Sequence, residues 1–172
     1  TGEYKPSTAK SSITPSMDIQ VASNFERLLF DLLKGDDKKV STYMNKLISD
    51  GSFKLNQEEL QSLKKNFIGR SINDKSTLQI INYLFKTNKY IIDPHTATGV
   101  APLVLGNVEE TEEIYTNSSD VVALATADAY KFIETVEPEI KKVDVNSKVS
   151  IPQKLSEINN KKENFDIISN DI

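Results

Sequence analysis

Apolar positions recur at helical spacing through residues 21–89 and then change rhythm. Phe25, Leu28, Leu29 and Leu32 share one face of a helix. Ser23 followed by Glu26 has the form of a capping box, in which a hydroxyl and a carboxylate satisfy unpaired first-turn amides. Gly35 marks the end of that helix. A second helix is predicted through Val40, Tyr43, Met44, Leu47 and Ile48, with Gly51 as its stop. A third opens at Asn56, pairs with Glu59 at its start, and buries Leu60, Leu63 and Phe67. A fourth aligns Leu78, Ile81, Leu84 and Phe85.

Beyond Lys89 the pattern shifts. Tyr90, Ile91 and Ile92 form a short apolar run into Asp93 and Pro94, which predicts a strand, a tight turn and a helix from Pro94 to Leu105. Proline suits a first helical position because its missing N–H would have no helical partner. Residues 107–117 are acidic and read as solvated. Val121 to Ala125 is continuously apolar, as a strand buried on both faces would be. A helix follows with Ala129, Phe132, Ile133 and Val136 inward, and Pro138 closes it or starts the next turn. The tail from Lys141 predicts one loose helix around Leu155 to Ile158 and fraying after Lys161. The division is therefore an opening loop or strand at 1–20, a helical part at 21–89, an α/β part at 90–140 and a tail at 141–172. The fold class is α/β, rich in helix, with a partial parallel sheet.

Composition narrows the function classes. The chain has 172 residues, 38% hydrophobic and 27% charged, enough for a real core. A net charge of -4 argues against nucleic acid and anionic membranes as partners. With no cysteine and one histidine, thiolate metal sites and multi-histidine zinc sites are excluded. No apolar run approaches the roughly 18 residues of a membrane helix. No signal peptide is visible, the chain opens at Thr1 without a methionine, and a cytoplasmic setting is the expectation.

Two segments carry candidate chemistry. In open α/β sheets, ligands bind beyond the carboxyl ends of strands. Asp93-Pro94-His95-Thr96-Ala97-Thr98-Gly99 is one such end and Ala125-Thr126-Ala127-Asp128 the other. Each sets a hydroxyl or carboxylate near a helix start, where anions and planar polar ligands are favoured. The same residues also fit plain structural roles. Asp93 reads equally well as an N-cap, His95 as a buried structural imidazole, and Thr96 and Thr126 as capping hydroxyls. Lys38-Lys39 and Lys64-Lys65 read as solvated helix faces, and Glu109 to Glu113 as a soluble loop.

Three stretches together resemble a known family. Thr1-Gly2-Glu3-Tyr4-Lys5-Pro6 and the run from Thr14 to Arg27 form the first. Asp93-Pro94-His95-Thr96-Ala97 with Gly99-Val100 forms the second. Ala125-Thr126-Ala127 with Lys131-Phe132 forms the third, usually written TAHPAKF. In order and rough spacing they resemble the bacterial and fungal type of threonine synthase, over residues 1–137. Asp128-Ala129 stands where the third motif usually has His-Pro, which puts in doubt any role of the usual histidine.

The resemblance implies the C-terminal part of a fold-type II enzyme dependent on pyridoxal phosphate (PLP). That family converts O-phospho-L-homoserine and water to L-threonine and phosphate. The cofactor supplies an electron sink, and the protein supplies orientation and charge placement. The Schiff-base lysine and the glycine-rich phosphate loop are implied to lie upstream of Thr1. The chain alone is then expected to be inactive, with the N-terminal half of the same enzyme as its partner. Residues 90–140 would form the cofactor side. Thr126 matches the position whose hydroxyl meets the pyridine nitrogen, with Asp93, His95 and Thr96 lining the cofactor. Ser16, Asn24 and Arg27 fall in the first stretch as substrate-binding candidates, Arg27 through its planar fork. The alternatives are a non-catalytic interaction module or a small-molecule-binding α/β domain.

Overall fold

The computed structural model describes residues 1–105, 121–159 and 161–167. The chain forms two compact units, Thr1–Asp74 and Lys75–Ile172.

In the first unit, strand β1 (Glu3–Tyr4) pairs antiparallel with β2 (Phe53–Lys54), setting Tyr4 opposite Phe53. Helices α1 (Ser23–Leu32), α2 (Asp37–Asp50) and α3 (Gln57–Asn66) complete it. Leu29, Val40, Tyr43, Leu47, Phe53 and Leu55 are its buried core. Tyr4 stacks on Phe25 at 4.7 Å and on Phe53 at 5.3 Å, and Phe53 stacks on Tyr43 at 5.0 Å. Such offset pairs add to the area they bury.

Helix ends follow local chemistry, with one exception. Asn56 and Glu59 form the expected reciprocal capping box of α3, each side chain taking the other's backbone N–H at 2.9 Å. Gly51 ends α2 at φ 72. At the end of α1, Lys34 N–H donates to the Asp31 carbonyl and Gly35 N–H to the Phe30 carbonyl. That is the Schellman arrangement, with Lys34 in its left-handed position at φ 55 and Gly35 following at φ 83. The box expected from Ser23 and Glu26 does not form. Ala22 is the N-cap and no side chain caps α1, because Ser23 already lies inside the helix.

Two apolar residues assigned inward face solvent. Ile48 is 83% exposed and Phe67 is 54% exposed. Phe67 follows the last turn of α3 in extended backbone, so the helical period no longer sets its direction.

In the second unit, α4 (Asp74–Asn88), which begins one residue before the boundary, buries Ile80, Ile81 and Phe85. Helix α5 (Pro94–Val104) matches the expected span closely and buries its whole first turn. A short 3-10 turn (Ala129–Phe132) leads into α6 (Ile133–Lys141), which buries Val136 and Ile140. Pro138 does not end α6; it lies within it, and the helix continues to Lys141. The loose tail helix is α7 (Gln153–Asn159).

The architecture is helix-rich with a small sheet. Residues 90–93 and 121–125, read as parallel strands, have no ladder partner among the described residues. Apolar patterning reports what a segment is suited to bury; pairing also needs a neighbouring strand. Val122 and Leu124 are accordingly 82% and 76% exposed. The acidic stretch 107–117 lies outside the described residues. No described helix is long and apolar enough to cross a membrane.

Candidate functional site

The second unit brings together Asp93, His95, Thr96 and Thr126, which the sequence places in two separate motifs. Asp93 is the N-cap of α5 and is 1% exposed. One of its oxygens accepts the His95 N–H at 2.9 Å and the Thr96 N–H at 3.3 Å. Its other oxygen accepts the Thr96 hydroxyl. A carboxylate at a helix N-terminus also meets the positive end of the helix dipole. His95 Nδ1 lies 3.3 Å from Asp93 Oδ1, and its ring rests against Phe132 with centroids 4.7 Å apart. The Thr98 hydroxyl donates to the His95 carbonyl at 2.7 Å.

Thr96 Oγ1 is the bridge between the motifs. It accepts the Thr126 N–H at 3.1 Å and lies 3.4 Å from Thr126 Oγ1. Asp93, His95 and Thr96 are buried, whereas Thr126 is exposed. A polar chain therefore starts at a buried carboxylate and ends at a hydroxyl open to a ligand. Asp128, which replaces the usual histidine of the third motif, caps the 3-10 turn by accepting the Tyr130 N–H at 2.8 Å. The Phe132 packing on His95 was not foreseen as part of the site. Its signals were the inward apolar position of Phe132 and the presence of Lys131-Phe132 in the third motif.

The first unit holds Ser16, Asn24 and Arg27, all exposed. Ser16 lies on a 3-10 turn (Pro15–Met17), and Asn24 and Arg27 lie on α1. Arg27 lines an open groove of about 700 Å³ between α1 and α2, with Glu26, Phe30, Asp37 and Val40 among its walls. Ser16 and Asn24 do not line that groove. The segment before α1 is held by its own polar contacts. Ser12 donates its N–H and hydroxyl to Asp18, each at 2.8 Å, and Ser7 donates both of its groups to Gln20.

The sequence reading missed a buried polar cluster in this unit. Glu59 accepts the Tyr43 hydroxyl at 2.6 Å as well as the Asn56 N–H, and forms an ion pair with Lys39. Burial favours the neutral acid, but Lys39, Tyr43 and the Asn56 amide outweigh it and hold Glu59 below its ordinary value. Burial, with the Glu59 carboxylate, pushes the Tyr43 phenol up to about 12. Lys39 is thus not purely a solvated face. Lys64 and Lys65, by contrast, are exposed in the last turn of α3.

Residues 96–172 match the family model described as "Threonine synthase, C-terminal". A threonine synthase of Pseudomonas aeruginosa is 30% identical over 169 residues, covering 98% of this chain and 34% of that protein. From end to end, then, the chain resembles part of a threonine synthase. The solved threonine synthase from yeast superposes with a TM-score of 0.75 at 26% identity, over 94% of this chain and 34% of that one. The PLP-bound threonine synthase from Brucella melitensis gives 0.73 at 27% identity, over 98% and 33%. The chain spans about a third of the length of each of these threonine synthases.

Proposed function

We propose that this chain supplies one wall of the active site of a PLP-dependent threonine synthase. The enzyme would convert O-phospho-L-homoserine and water to L-threonine and phosphate, in the cytoplasm. The observation that carries the reading is the polar chain from buried Asp93 through Thr96 to exposed Thr126, built by two of the three family motifs. The residues fit the cofactor. An unprotonated pyridine nitrogen accepts a hydrogen bond, and the Thr126 hydroxyl is a neutral donor for it at an exposed position. Pyridoxal phosphate, when bound, supplies the electron sink for the chemistry. Thr126 would hold the pyridine nitrogen in place without adding a permanent charge to the ring. Asp93, His95 and Thr96 would form the base of this wall.

On the substrate side, Arg27 would meet the phosphate, with Asn24 and Ser16 as further candidates. Its planar fork suits phosphate. Glu26 and Asp37 share its groove and oppose an anion there, so the phosphate role rests on the guanidinium reaching beyond them.

This reading makes the rest of the enzyme, including its Schiff-base lysine and phosphate loop, the partner of residues 1–172. The test is phosphate release from O-phospho-L-homoserine by the full-length protein, with and without pyridoxal phosphate. Release that depends on the cofactor is expected, with no turnover from residues 1–172 alone. Failure of the full-length protein at saturating cofactor overturns the reading.

A further inference from the structure

Thr126 sits on a stretch, 121–126, that carries no helix or strand, and its side chain is exposed. A contact group on such a segment serves a ligand only if something fixes its place. The fixing group is visible. Thr126 donates its backbone N–H to Thr96 Oγ1 at 3.1 Å, across 30 residues of sequence. Thr96 itself is buried in the first turn of α5.

The direction of that bond follows from counting protons. A threonine hydroxyl has one hydrogen and two lone pairs. The Thr96 hydrogen goes to Asp93 Oδ2, so the oxygen turns only lone pairs toward Thr126; these take the Thr126 N–H, while the 3.4 Å separation of the two hydroxyl oxygens is too long to hold the Thr126 hydroxyl hydrogen away from a ligand. Asp93 is itself locked by the His95 and Thr96 amides and by the imidazole beside it, under the Phe132 ring. The carboxylate is therefore occupied within the protein and is not the group a ligand would meet.

We propose that Asp93 and Thr96 are positioning residues. Asp93 sets the direction of the Thr96 hydroxyl. Thr96 then clamps the backbone of Thr126 and presents its hydroxyl at one place. The proposal rests on the cofactor-side reading of Thr126 and deepens it, because it takes Asp93 and Thr96 out of the contact set and makes them the support behind it.

The test uses the full-length protein and two readouts. One is hydrogen exchange of a peptide spanning Val121 to Asp128, followed by mass spectrometry. The other is the dissociation constant for pyridoxal phosphate. Thr96→Val keeps the shape and removes the hydroxyl. It is expected to speed exchange at Thr126 and weaken cofactor binding, each about tenfold, the loss of one hydrogen bond. Thr96→Ser restores the hydroxyl and is expected to recover both, which guards against a simple folding defect. Unchanged exchange in Thr96→Val overturns the clamp whatever the cofactor does. Faster exchange with unchanged cofactor affinity overturns the positioning role while leaving the threonine synthase reading intact. If the unsubstituted protein binds no pyridoxal phosphate, the function fails and the positioning role with it, while the exchange data still report the clamp.

Discussion

Glu59 and Asp93 are both buried carboxylates at the start of a helix, and both take backbone N–H groups from that start. Their remaining bonds lead to different places. Glu59 is closed off by Tyr43 and Lys39, all within the first unit. Asp93 passes through Thr96 to Thr126, where the chain of contacts ends at an exposed hydroxyl. A capping carboxylate thus becomes scaffolding when every partner is internal. On the proposed reading, it becomes support for a site when the last partner is left open. Burial alone does not separate the two, and neither does capping.

The largest effect expected from breaking this comparison is on the closed side. Glu59→Ala leaves the Tyr43 hydroxyl and the Asn56 amide without their acceptor, and the loss is expected at about 3 kcal/mol. Lys39 adds little, because its side chain is 41% exposed and screened by solvent. Urea unfolding of the variant beside the unsubstituted protein measures this. A loss below about 0.5 kcal/mol, the range of an ordinary surface change, would show that the cluster is not scaffolding.

The open side should behave in the opposite way. Thr126→Val removes an exposed hydroxyl, so stability should move by less than about 0.5 kcal/mol. Cofactor affinity in the full-length protein should fall about tenfold. Titration of pyridoxal phosphate and the same urea series test both halves. A variant that unfolds readily while binding normally would reverse the assignment.

The smallest effect is a dependence on pH. The folded structure holds Glu59 below its ordinary value of 4.5. A depressed carboxylate contributes stability above its unfolded value, and that contribution is lost as pH falls through the folded value. Urea midpoints should therefore drop as pH falls below 4.5, and Glu59→Gln should flatten that slope. Parallel slopes for the two proteins would assign the acid sensitivity to other groups.

The legible parts of the chain were those whose causes lie within a few residues. Asn56 with Glu59, Gly51, and Asp93 with Pro94 were readable because a helix end is satisfied by its own neighbours. The span of α5 followed from the same signals. The Ser23 and Glu26 pair misled because the motif does not say which residue is the N-cap, and α1 starts with Ser23 already inside it. Pro138 misled because the helix accommodates it and continues to Lys141.

By itself, then, the sequence determined the helices, three of their caps (Gly51, Asn56 and Asp93) and, through three motifs, the resemblance to threonine synthase. Tertiary structure decided which polar residues became partners. Tyr43 and Glu59 are 16 residues apart, and Thr96 and Thr126 are 30 apart. Nothing in either local pattern specifies those pairings. A cap is chosen by backbone amides one to three positions away, but a bond across a helix and a loop exists only once packing has removed water and brought the two ends together.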